Sequence, residues 1–195
     1  MRALHLQVPE EHRPFLRLGT CSWKYDSWKG IIYREGVDYG PFDYLPDYAR
    51  CFNMVEVDQW FWGLFPTAVT LPDAETVRRY AESVPDDFLF SVKVPNAITL
   101  THFYANQHRT HREYANRPNE HFLSIELFRS FLATLTPMAS KLGPLADEEG
   151  PPDAVHVGQR GAFGQQLPTL FGPVVASLFL WAVTFCLTAG TKPAG

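Results

Sequence analysis

Apolar and polar positions alternate in three short runs of this chain: Phe15 to Thr20, Asn53 to Asp58 and Phe88 to Val94. Alternation with a period of two predicts strands. Their centres, Leu18, Val55 and Val92, lie 37 residues apart each time. That spacing accommodates a strand, a helix and two loops. Between the runs the period lengthens to that of a helix. After Asp73, a good N-cap, Val77, Tyr80, Ala81 and Val84 fall on one face. Further on, Phe122, Ile125, Phe128, Phe131, Leu132 and Leu135 form an apolar stripe, with Pro137 and Gly143 as stop signals. A shorter helix is predicted around Tyr44 to Tyr48, where Pro46 is tolerable only in the first turn. The pattern βαβαβα predicts an α/β fold with parallel strands.

In such a fold one strand face meets the helices and the other points into a barrel. Val55 and Val57 are expected on the helix side, which turns Glu56 and Asp58 inward. The same parity puts Leu16 and Leu18 outward and Arg17 and Gly19 inward. On the third run Phe90, Val92 and Val94 face out and Ser91 and Lys93 face in. Acids and bases on neighbouring strands can neutralise one another, which makes their burial tolerable. Glu56, Asp58 and Lys93 are therefore the candidates for acid, base or charge-stabilising work at the carboxyl ends of the strands. The alternative is an ion-pair cluster that merely fills the interior.

Aromatic residues follow the first two strands directly. Trp23, Trp28 and Trp60, with Tyr25 and Trp62, occupy the place of substrate loops, where rings could stack on a ligand. Packing as a lid over the mouth is the alternative. The long segment after the third strand holds His102, His108 and His111, and His102 is a further ligand-binding candidate. No Cys, Asp or Glu pattern accompanies these histidines, so no metal site is expected. From Lys93 to Arg117 there are four Lys/Arg and one Glu, a local excess suited to a phosphate or carboxylate on a small ligand. A solvated charged loop is the plainer reading.

Three stretches resemble the YecE-like family, domain of unknown function 72: "GTCSWKYDSWKGIIY" (Gly19 to Tyr33), "YARCFNMVEVDQWFW" (Tyr48 to Trp62) and "PDDFLFSVKVPNAITLTH" (Pro85 to His102). "KLGP" (Lys141 to Pro144) matches the segment leading to that family's fourth strand. More usual members have Asn at the place of Asp58 and Thr-Phe-Tyr near Trp60 to Trp62. The resemblance implies a TIM-barrel-type fold over residues 15–145, binding or processing a small polar ligand at its mouth. It implies no reaction and no cofactor.

Composition changes the picture in one place. The 195 residues are 46% hydrophobic with a formal net charge of -4, which gives no signal for nucleic-acid binding. The three cysteines, Cys21, Cys51 and Cys186, show no metal or disulfide spacing. The first residues lack the apolar core of a signal peptide, so a cytoplasmic protein is expected. After Leu145, however, the chain turns rich in Gly, Pro, Ala and Val, and no charged residue occurs from Gly161 to Thr191. Residues 146–195 are expected to be an aberrant tail unrelated to the barrel, as a shifted reading frame would produce, making the chain a non-functional fragment. An apolar segment at 170–189 is long enough to span a membrane, so a tail-anchored protein is the competing reading. A non-catalytic ligand- or nucleic-acid-binding protein is another. With three legible strands, the third is expected to lie on a sheet edge, with its N–H and C=O groups unpaired.

Overall fold

The computed structural model describes residues 9–13, 15–103 and 112–146. In chain order the elements are α1 (Tyr44–Tyr48), β1 (Met54–Val57), a hairpin of β2 (Leu64–Phe65) and β3 (Ala68–Val69), α2 (Ala74–Glu82), β4 (Leu89–Lys93), α3 (Asn96–Thr99), α4 (Ile125–Thr134) and β5 (Leu142–Ala146). The sheet has the order β1-β4-β5 and all its pairs are parallel. The strands of this sheet follow one another in chain order with helices between them, and the β2–β3 hairpin lies between β1 and α2. This α/β arrangement is compatible with the opening part of a β/α barrel. The expected tail, 146–195, lies outside the described residues apart from Ala146, and so does its apolar segment at 170–189.

The first predicted strand is present as a parallel neighbour of β1 but not as a regular ladder. Backbone bonds run from Asn53 N–H to Leu18 O (3.2 Å), from Glu56 N–H to Thr20 O (3.0 Å) and from Ser22 N–H to Glu56 O (3.0 Å). Side chains take the remaining groups. Asn53, fully buried, accepts from Leu18 N–H and donates to Leu16 O, both at 2.8 Å. The Tyr48 hydroxyl accepts from Thr20 N–H (2.9 Å) and donates to Met54 O (3.1 Å). Backbone groups of a half-buried segment must find partners, and here two side chains stand in for a strand. Gly19 permits the close approach: a Cβ there would lie 2.1 Å from Met54 O.

Contrary to expectation, the third predicted strand does not lie on an edge, because β5 pairs with it. Phe90 opposes Leu142, Val92 opposes Leu145 and Lys93 opposes Ala146, with a register shift between Phe90 and Val92. Gly143 and Pro144 together therefore face Ser91, which is a β-bulge. A bulge accommodates a residue that has no N–H for the ladder. The Ser91 hydroxyl donates to Pro144 O at 3.0 Å. The strand thus continues two residues past "KLGP", into a stretch whose following acids and prolines argue against any strand.

The helices form as their caps and stripes dictate. Asp73 accepts from Thr76 N–H (2.9 Å) at the start of α2, and Ser124 accepts from Leu127 N–H (3.2 Å) at the start of α4. Val77, Tyr80 and Ala81 of α2 and Phe128 and Phe131 of α4 are buried in one core with Val55, Val57, Phe90, Val92 and Val94. Burial of each large side chain of this kind contributes roughly 1.5–3 kcal/mol. Helix α2 ends against Lys141, whose ammonium donates to Ala81 O and Val84 O, both at 2.8 Å. No helix among the described residues is long and apolar enough to cross a membrane.

Candidate active site at the strand ends

With the valines and phenylalanines committed to the helix side, the even-numbered positions of β1 and the odd-numbered positions of β4 lie on the other face. Across that face Cys21 bridges to Glu56, and Glu56 opposes Ser91. The Glu56 carboxylate is nearly enclosed, at 5% exposure. Burying such a charge is costly unless it is paired. Two groups meet it. The Cys21 thiol donates to Glu56 Oε1 at 2.7 Å. The Lys93 ammonium stands 3.7 Å from the same oxygen, an ion pair without hydrogen-bond contact. Lys93 Nζ also lies 5.8 Å from the centre of the Phe61 ring, where the ring face favours a cation. Both contacts to Glu56 run to Oε1, so Oε2 is uncommitted among the described residues.

The other predicted residues are distributed more widely. Asp58 is half-buried one residue beyond β1, and its carbonyl accepts from Phe61 N–H at 3.0 Å, closing the turn that follows. Its carboxylate forms no ion pair with a described residue. Arg17, expected on the inner face, instead donates to Asp87 O at 2.5 Å, before the start of β4. It therefore belongs to the amino end of the strands, away from Lys93. Trp23 is 1% exposed, with its ring 5.2 Å from that of Tyr80 in an edge-on contact. Trp60 stacks on the same Tyr80 at 5.8 Å, and Phe42 lies 5.7 Å from it. These rings close the gap between the strand loops and α2. Trp28 is half-buried against Tyr25 (4.7 Å) and Tyr33 (6.2 Å). His102 is exposed, and its Nδ1 is 3.0 Å from the Thr101 hydroxyl. His108 and His111 lie outside the described residues. Among the described residues no three His, Cys, Asp or Glu side chains are grouped to hold a metal ion.

Two residues at these strand ends were not anticipated. Cys21 lies two positions beyond Gly19, so extending the inward parity by one step finds it. Asn96 follows β4 in a Pro-Asn pair, a signal that reads only as a helix start. It is fully buried, its N–H donates to Phe61 O (2.8 Å) and its Oδ1 accepts from Leu64 N–H (2.7 Å).

The fold is a parallel α/β sheet with a thiol, a carboxylate and an ammonium gathered on one face, an arrangement compatible with the opening part of a β/α barrel. The chain matches the family model "Protein of unknown function DUF72" over residues 17–147 and belongs to that family. It is 27% identical over 156 residues to the UPF0759 protein YecE of Escherichia coli strain K12, covering 80% of this chain and 39% of that protein. The YecE protein of Escherichia coli O157:H7 matches to the same extent. The chain thus spans 39% of the length of these curated relatives. It is also similar to a crystal structure of a DUF72 family protein from Enterococcus faecalis V583, with 22% identity and a TM-score of 0.44 over 76% of this chain and 46% of that one.

Proposed function

We propose that the strand ends around Glu56 and Lys93 bind a small polyhydroxylated ligand, and that the longer proteins of this family process or carry it there. The observation that supports this is the enclosed Glu56 carboxylate, with Oε1 held by Cys21 and Lys93 and Oε2 uncommitted among the described residues. A carboxylate fixed in this way accepts from a ligand hydroxyl, and the adjacent ammonium donates to a ligand oxygen. In a catalytic version, Glu56 is the proton acceptor and Lys93 stabilises developing negative charge, with Asp58 near the rim. Phosphate on the ligand would add to the attraction of the basic segment that follows β4. The free thiol of Cys51 fits a reducing, cytoplasmic setting.

The test is ligand-observed NMR with the full chain, using D-ribose, D-glucose and D-ribose 5-phosphate. Binding to the unmodified chain is expected to weaken at least about tenfold in Glu56→Gln and in Lys93→Met, one charge-assisted hydrogen bond in each case. Binding unaffected by both substitutions places the ligand elsewhere and refutes the proposal. A non-catalytic carrier is distinguished by prolonged incubation that leaves the bound sugar chemically unchanged.

A further inference from the structure

The geometry points to Asn96 as a ligand-contacting residue whose side-chain amide donates to an oxygen of the sugar-like molecule held beside Lys93. This rests on the reading that the strand ends form a binding site. Asn96 is 0% exposed, and its Nδ2 has no hydrogen-bond partner among the described residues. A buried amide donor left unpaired is costly, and native proteins rarely keep one without use. The residue is not loosely placed. Its backbone N–H is tied to Phe61 O at 2.8 Å and its Oδ1 to Leu64 N–H at 2.7 Å. The first bond anchors the backbone, and the second engages the amide oxygen and leaves the NH2 group without a partner among the described residues.

Its position links it to the charged cluster. Asn96 lies three residues after Lys93, on the same connection out of β4. Both residues meet Phe61, Lys93 through the ring face and Asn96 through the backbone carbonyl. An ammonium and a neutral amide on adjoining turns are two donors and no acceptor. They suit a molecule that presents two oxygens on neighbouring carbons, as a vicinal diol or a hydroxy acid does. Asn96 has a second function that explains its burial: through Leu64 it holds the β2–β3 hairpin against the end of β4. Ligand at Nδ2 would then be felt at the Leu64 amide.

That coupling supplies the experiment. The chain contains a single Gly-Leu pair, Gly63–Leu64, so labelling glycine carbonyls with 13C and leucine nitrogens with 15N identifies the Leu64 amide directly. The full chain is titrated with D-ribose, D-glucose and D-glucuronate at pH 8, and the same titration is repeated with Asn96→Asp and Lys93→Met. Asn96→Asp keeps the oxygen that accepts from Leu64, and at pH 8 the carboxylate has no proton to donate. The expected result is a ligand-dependent shift of the Leu64 resonance, with about tenfold weaker binding in Asn96→Asp. If Lys93→Met loses binding while Asn96→Asp binds normally and Leu64 does not move, the assignment of Asn96 is overturned and the site reading stands. If none of the three sugars moves Leu64 or binds, both are overturned. Should Asn96→Asp fail to fold, the Leu64 shift in the unmodified chain decides the matter alone.

Discussion

Replacement of Asn53 by alanine probes the way the first strand is attached. The native side chain is fully buried and bonds at 2.8 Å to both Leu18 N–H and Leu16 O. Leu18 is half-buried, so its N–H loses its partner without free access to water. Leu16 is 48% exposed, and its carbonyl can be rehydrated. The first loss costs about 1–3 kcal/mol and the second about 0.5–1 kcal/mol, so a total of roughly 1.5–4 kcal/mol is expected. For a folded unit of this size, that corresponds to a fall in Tm of roughly 10 °C. Urea unfolding followed by circular dichroism measures the free energy, and hydrogen exchange locates it. Leu18 should lose protection in the variant, while Val92 in the centre of β4 should change only as much as global stability does. Stability within about 0.5 kcal/mol of the unmodified chain, or a loss with Leu18 protection intact, would refute the reasoning.

Three further outcomes are expected. Gly19→Ala should separate the first segment from β1, because the added Cβ would meet Met54 O at 2.1 Å; a destabilisation of at least about 3 kcal/mol is expected by urea unfolding. Lys141→Met keeps the aliphatic stem but removes both bonds to Ala81 O and Val84 O, so about 2 kcal/mol should be lost by the same assay, with the fraying seen by exchange at the end of α2. Burial holds the Tyr48 phenol above its ordinary value of 10.0, so the stability it contributes is fully present below pH 10 and is lost as pH rises beyond it. Thermal unfolding in a series of alkaline buffers should show a fall in Tm that sets in near that pH and is smaller in Tyr48→Phe.

The helix-side half of the fold was legible because it obeys simple periods. Val55 and Val57 alternate, Val77, Tyr80 and Ala81 return at helical spacing, and Asp73 caps as its residue type allows. The inward parity likewise put Glu56, Ser91 and Lys93 on one face, and Lys93 does stand beside Glu56. Reading failed where one residue's role depends on a distant one. Arg17 has the right parity, but it sits at the amino end of the strands, beside Asp87 and away from Lys93. Trp23 follows a strand end, yet at Ser22 the backbone enters the left-handed region (φ 60°) and the indole is buried against α2. Asn53 reads as a polar flank of a strand, whereas it serves as the missing rungs of a ladder. Strand β5 was overlooked past Leu145 because Leu142 and Leu145 are three apart, which is a helical spacing and not that of a strand.

That spacing follows from the bulge, and it gives Pro144 a role in choosing between folds. Leu142 and Leu145 both pack toward the helix-side core, which an unbroken strand would forbid. A regular pairing of β5 with β4 would bring Pro144 opposite Val92 and leave Leu145 on the face of Glu56 and Lys93. Proline offers no N–H to that alternative ladder, so the competing register loses a hydrogen bond that the observed one never required. The Gly-Pro pair therefore acts as a ratchet on the sheet: it admits β5 in one alignment only, and it keeps an oily side chain off the face that carries Glu56 and Lys93.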